Sequence, residues 1–166
     1  NFSDEIKKKE FWNFANLNSS KHGCTGIDYF LFNKHLFKNL PDYIIGRPGY
    51  DNWLLWYARR RMVPLIDASD QIKVIHQNHH YTYHNFESGR KHFLDEDGLK
   101  NKRIMKNNHL NLLDTNYFLS KNDIIKKNDK AFIQRNLGKL PIIYPELRWP
   151  LKYYKKFYRM ISKKLK

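Results

Sequence analysis

The run from Gly46 to Arg61, Gly-Arg-Pro-Gly-Tyr-Asp-Asn-Trp-Leu-Leu-Trp-Tyr-Ala-Arg-Arg-Arg, limits the possible folds more than any other part of the chain. Two glycines around a proline force a turn. Asp51 then stands where a helix N-cap belongs. Beyond it Trp53, Trp56 and Tyr57 share one helical face, and Leu54, Leu55 and Ala58 widen the apolar stripe. Arg59, Arg60 and Arg61 complement the carbonyl end of the helix dipole. The spacing predicts a helix over 51–61 with a wide apolar surface, which other elements must cover.

Less constrained elements surround it. Residues 4–18 predict a short amphipathic helix with Ile6, Phe11, Trp12 and Phe14 toward one face. Ile27-Asp28-Tyr29-Phe30-Leu31-Phe32 reads as a mostly buried strand bounded by Gly26 and Asn33, broken only by Asp28. Short strands are expected at 65–68 and 71–75, and a helix near 98–107; between 86 and 147 the pattern is otherwise weak. Asp95-Glu96-Asp97 reads as a solvated helix start. At the C-terminus Leu151, Tyr154, Tyr158, Ile161 and Leu165 recur at steps of three and four beside Lys152, Lys156, Arg159, Lys163 and Lys166, which is the pattern of a basic amphipathic helix over 148–166.

The chain has 166 residues, enough for one domain or a large piece of one, and its 41% hydrophobic and 16% aromatic content suffices for a packed core. Asn1 stands at the start in place of Met, which predicts an excised piece. No run approaches the roughly 18–20 apolar residues of a spanning helix and no leader is visible, so a soluble or peripheral protein is expected. Cys24 is the only cysteine, which excludes an internal disulfide and a zinc ribbon and makes a reducing compartment the default. The net charge of +15, from 31 Lys and Arg against 16 Asp and Glu, favours polyanionic partners: nucleic acid, anionic lipid or nucleotide diphosphates. Eight basic and no acidic residues lie from Arg148 onward, so about half of the excess belongs to the tail.

Three groups could carry chemistry. A carboxylate in the first turn of a helix, beside aromatic rings, is placed to deprotonate a sugar hydroxyl, and Asp51 is that carboxylate; an Asp there can equally serve as a cap alone. Asp28 in an apolar strand calls for a partner or a site, with the acceptor, Arg47 or another basic group as the choices. In His76-Gln77-Asn78-His79-His80, His76 can share a metal with His79 or His80, or the imidazoles can simply hydrogen-bond a loop to the sheet.

The order Gly26-Ile27-Asp28-Tyr29-Phe30-Leu31-Phe32, Phe37-Lys38-Asn39-Leu40-Pro41, Gly46-Arg47-Pro48-Gly49-Tyr50-Asp51-Asn52-Trp53, Ile66-Asp67-Ala68 and Ile75-His76-Gln77-Asn78-His79 resembles glycosyltransferase-like proteins with a nucleotide-diphospho-sugar transferase fold. The likeness covers roughly residues 5–105. It implies an α/β fold in which residues 1–147 form the acceptor-side, C-terminal portion: a partial mixed sheet with flanking helices. In inverting members a Glu-Asp pair opens an acceptor-side helix and its Asp is the base. Asp51 falls at that point, with Tyr50 where the family often has Glu. The resemblance further implies Asp28, Arg47 and Trp53 as substrate contacts, His76 and His79 as metal candidates, a divalent metal (Mg or Mn) and a nucleotide-sugar donor. The family's metal-binding Asp-x-Asp closes an earlier strand, and none precedes Gly26, so the piece is expected to bind donor poorly by itself.

A glycan or lipid-linked acceptor follows, with a cytoplasmic location and, through 148–166, peripheral contact with an anionic membrane surface. The rival readings are a basic nucleic-acid-binding module or a His-Asn-His-type metal-dependent nuclease, and a noncatalytic carbohydrate-binding piece built on Trp53, Trp56 and Tyr57.

Overall fold

A computed structural model describes residues 3–76 and 95–154. Helix α1 spans Glu5–Asn18 and begins at Asp4, whose Oδ1 accepts from the backbone N–H of Ile6 at 3.0 Å and of Lys7 at 3.4 Å. Its predicted apolar face contributes little to the core: Ala15 is buried, whereas Ile6, Phe11, Phe14 and Leu17 are exposed. The cap and local propensity make this helix, and packing does little to hold it.

Residues 27–32 do not form the expected strand and lie outside the sheet. Ile27 is buried, but Asp28, Tyr29 and Phe32 are exposed and Leu31 is 90% exposed. A β-rich composition registers how well side chains fit a paired, half-buried surface, and among the described residues no strand pairs with this run. The segment instead drops Ile27 into the core and packs Phe30 against it. Residues 71–75 likewise form no strand; Lys73 Nζ donates to Asn16 Oδ1 of α1.

Helix α2 spans Tyr50–Arg60, one residue earlier than the sequence predicts. Its N-cap is Gly49, not Asp51, at φ 103°, a left-handed conformation suited to glycine, and Trp53 N–H donates to Gly49 O at 3.1 Å. At the other end Met62 takes φ 58°, Val63 N–H donates to Ala58 O at 2.9 Å and Met62 N–H to Arg59 O at 3.0 Å. This pair of bonds is a Schellman closure, and Pro64 follows it.

Strand β1, Ile66–Asp67, runs parallel to β2, Tyr117–Leu119, with Ile66 opposite Tyr117; β3, Ile124–Lys126, runs antiparallel to β2 with Tyr117 opposite Lys126. The order is β1-β2-β3. A parallel pair needs a long crossover, and helix α3, Glu96–Met105, lies within it. Asp95 caps α3 by accepting from Gly98 N–H at 2.6 Å, so the acidic triplet is a helix start as read. Helix α4, Lys130–Ile143, is capped by Asp129, which accepts from Phe132 N–H at 2.9 Å. Residues 148–154, the first described part of the predicted basic tail helix, are helical and expose Trp149, Tyr153 and Tyr154. The fold is therefore α/β: a small mixed three-stranded sheet with helices around it.

Its core joins Ile27, Leu55, Leu110 and Ile143, with Trp56, Leu65 and Tyr144 at the margin. Helix α2 is the centre of this packing. Trp56 Nε1 donates to Ile142 O of α4 at 2.7 Å, and Asn52 exchanges two bonds with the backbone of Leu110, at 2.8 and 3.1 Å. Asn101 of α3 is fully buried; its Oδ1 accepts from Ile44 N–H at 2.9 Å, and its Nδ2 donates to Ile44 O at 2.9 Å, with the carbonyls of Arg47 and Pro48 at 3.4 and 3.3 Å. One carboxamide thus ties the loop before α2 to α3.

Gly138 lies inside α4, and beyond its chain neighbours and the helix's own backbone no atom comes within 4 Å of the position a Cβ would take. Gly138→Ala is expected to stabilise the protein by about 0.5–1 kcal/mol, because alanine restricts the unfolded chain and meets no obstacle in the helix. A urea titration checks this, and a lower midpoint would show that the helix is not continuous through residue 138.

Candidate functional site

The first turn of α2 carries Tyr50 and Asp51, and both feel the charge of Asp28 in the segment that follows the core residue Ile27. Asp51 is half-buried, and its pKa lies above the ordinary carboxylate value. Loss of solvent is the main cause; backbone N–H groups of Asn52, Asp51 and Gly49 pull the other way, and the charge of Asp28 adds to the rise. The Tyr50 phenol is also raised, by burial first and then by Asp51 and Asp28. Asp28 Oδ2 lies 3.2 Å from His76 Nδ1, with both side chains about half exposed. The charge of Asp28 thus links Asp51, Tyr50 and His76 into one electrostatic group, with Asp28 and His76 half exposed.

An apolar groove of about 150 Å³ adjoins it, lined by Leu40, Pro41, Tyr43, Ile45, Tyr50 and Leu54. Tyr50 belongs to both features.

The other sequence candidates take different places. Trp53 is only 5% exposed and sits against Tyr43 (5.4 Å between centroids), Trp56 (5.8 Å) and Tyr57 (4.8 Å, stacked). It is a packing residue and presents no face to a sugar, because the middle of α2 is the middle of the core. Arg47 Nε lies 3.0 Å from Asp95 Oδ2, with Nη2 3.7 Å from Asp97 Oδ2. Arg47 therefore anchors the Gly/Pro loop to the start of α3, and of the partners left open for Asp28 the structure shows His76. His79 lies outside the described residues.

Asp28 and His76 offer two donors to a divalent metal, and among the described residues no group of three or more His, Cys, Asp or Glu side chains gathers to hold one. The residues described here do not by themselves fit the metal that the sequence resemblance implies.

Reading by sequence did not single out Tyr50 as a groove-lining residue, although its place directly before Asp51 was the available signal. It also missed a second polar cluster. Asp114, 3% exposed, receives Arg135 Nε at 2.7 Å and Nη2 at 3.1 Å, with Lys139 Nζ 3.9 Å away. Nothing in the spacing of residues 114, 135 and 139 announces that contact, since β2 and β3 intervene.

No protein-family model, no curated protein and no solved structure matches this chain.

Proposed function

We propose that the protein is the acceptor-side part of a glycosyltransferase that moves a sugar from a nucleotide-diphosphate donor to a glycan or lipid-linked acceptor, with Asp51 as general base. The observation that supports this reading is the half-buried carboxylate of Asp51, raised by burial and by the charge of Asp28, in the helix turn whose Tyr50 lines a groove, with Asp28 itself in contact with His76. In the proposed reaction the acceptor hydroxyl oxygen attacks the anomeric carbon as Asp51 takes its proton. The bond from that carbon to the phosphate oxygen breaks, and the nucleotide diphosphate leaves with the electron pair. Burial and the neighbouring Asp28 raise the proton affinity of Asp51, which makes it a better base than an exposed carboxylate. Tyr50, held protonated, can donate a hydrogen bond to the acceptor. His76 orients Asp28. In this reading the fold is the C-terminal portion of a nucleotide-diphospho-sugar transferase fold. Mg or Mn belongs to it only with ligands beyond those described, and no step runs through the metal.

The test is acceptor-dependent release of nucleoside diphosphate from a panel of nucleotide sugars by the complete protein. Release from at least one donor is expected. Absence of release with every donor, in the presence of glycan and lipid-linked acceptors and of either metal, would sink the assignment.

The net charge of +15 favours the other reading, a nucleic-acid-binding or nuclease module; salt-sensitive DNA binding with metal-dependent cleavage that needs His79 would support it over the transferase. For location, no helix among the described residues is long and apolar enough to cross a membrane. We place the protein in the cytoplasm, peripheral at a membrane through 148–166, where the exposed Trp149, Tyr153 and Tyr154 stand beside Lys152. Liposomes rich in anionic lipid are expected to sediment the whole chain and to release a form ending at Leu147. Equal sedimentation of both would remove the tail from the account.

A further inference from the structure

At the far end of α2, about 12 Å along the helix from Asp51, the structure gathers positive charge that nothing above uses. Asp114 is the one carboxylate described at its centre, and it is nearly inaccessible. Arg135 grips it with two nitrogens and reaches Asn111 Oδ1 with Nη2 at 3.2 Å. Lys139 stands 3.9 Å off, beyond a hydrogen bond, with its side chain 21% exposed. Lys127 Nζ donates at 2.6 Å to the hydroxyl of Thr115, a neutral partner on the residue next to Asp114. Arg59 comes from α2 close enough to feel the charge of Asp114; its Nη2 donates to Asn136 Oδ1 at 2.6 Å, and its buried Nε has no hydrogen-bond partner among the described residues. His109 is exposed and feels the charges of Lys139 and Asp114.

Arg135 and Lys139 thus face one carboxylate, while Lys127 and Arg59 rest on neutral partners, Thr115 and Asn136, next in the chain to Asp114 and Arg135. Removing cations from water is costly unless anions replace the lost hydration, and a single monovalent carboxylate leaves an excess. With the Arg135 fork kept on Asp114, the ammonium groups of Lys139 and Lys127, held by a distant and a neutral partner, supply the charge that a multiply charged oxyanion needs.

We infer that the cluster of Arg59, Lys127, Arg135 and Lys139 around Asp114 is a binding site for a phosphoryl oxyanion, of the diphosphate class. The oxyanion sits on the outer side of Asp114, where Lys139 and Lys127 can turn to it while Arg135 keeps its grip on the carboxylate. This site stands independently of the transferase reading, since it uses none of the residues around Asp51.

The experiment is calorimetric titration of the folded full chain with inorganic pyrophosphate at low salt, alongside Lys139→Gln and, separately, Lys127→Gln. Saturable binding is expected, weakened about tenfold by Lys139→Gln, a change of the size that loss of one charge-assisted contact produces. Lys139 holds no short hydrogen bond, so the circular dichroism spectrum is expected to stay that of the parent. Lys127→Gln provides a second, separate weakening. In a parallel NMR titration the His109 ring resonances are expected to move as the anion binds. The inference is overturned if the parent shows no saturable binding, if both variants bind like the parent, or if the His109 resonances stay still. It is overturned as well if a mixed-sequence DNA duplex occupies the same cluster and pyrophosphate cannot displace it.

Discussion

Asp51→Asn is expected to slow acceptor-dependent sugar transfer about 10²- to 10⁴-fold, the usual share of a positioned general base. The amide keeps the shape of the side chain and its ability to accept from the helix N-terminus, but it cannot take the proton of the acceptor hydroxyl. Because the base must be ionised, the parent should lose activity as pH falls through the Asp51 pKa. Burial and then Asp28 have raised that value, so the acid limb should lie above the ordinary carboxylate range of about 3.9. Asp28→Asn should move the limb down. Stability carries the opposite sign. A carboxyl whose folded pKa exceeds its unfolded one adds stability at low pH, and this is lost as pH rises through the folded pKa, so ionised Asp51 is a cost at neutral pH. Asp51→Asn is therefore expected to melt higher than the parent at pH 7, with the gain fading toward pH 3. Full turnover in Asp51→Asn would take the base away from this residue, and an unchanged melting profile would mean its carboxylate is as well solvated as in the unfolded chain.

Arg135→Ala is expected to destabilise the protein by about 3 kcal/mol, the lower part of the range for breaking a buried pair, since Arg135 is itself one-third exposed. The cost comes from what remains. Asp114 would stay buried at the end of the 3₁₀ turn Leu112–Asp114, still accepting from Asn111 N–H at 3.0 Å but deprived of its bidentate partner. Arg135→Lys should recover part of the loss, as charge without the fork. In a double-mutant cycle with Asp114→Asn, the combined change should cost less than the two single changes added together, because the neutral amide no longer needs the cation. Urea titration of the four proteins measures the coupling. Strict additivity would show that the two side chains act separately in solution.

Helices α1, α2 and α3 were readable because each begins at a strong local signal: Asp4, the Gly/Pro loop and Asp95. Even there Gly49 displaced Asp51 as the cap of α2, since a glycine at positive φ can close the turn without a side chain. Helix α4 stayed hidden because Gly138 and Pro141 both argue against a helix, yet Pro141 falls in its last turn. Strands β2 and β3 are three residues each, too short for alternation to show. The 27–32 run failed in the other direction: its composition suits a sheet, but pairing is a tertiary fact that no local window contains. At the site, the contact of Asp28 with His76 joins positions 48 apart in the chain, beyond the reach of any local pattern. The aromatic stripe did not disclose which rings were core, and Trp53 proved to be the most enclosed of them.

Asn101 has a consequence for the order in which the molecule matures. The peptide groups it clasps belong to residues 44–48, and the bond to Ile44 spans 57 positions. On the ribosome, a nascent chain that has already extruded the whole tryptophan helix still lacks the side chain that seats its leading loop. The carboxylate two positions beyond Gly49 acquires its final surroundings only once residue 101 has emerged and folded back.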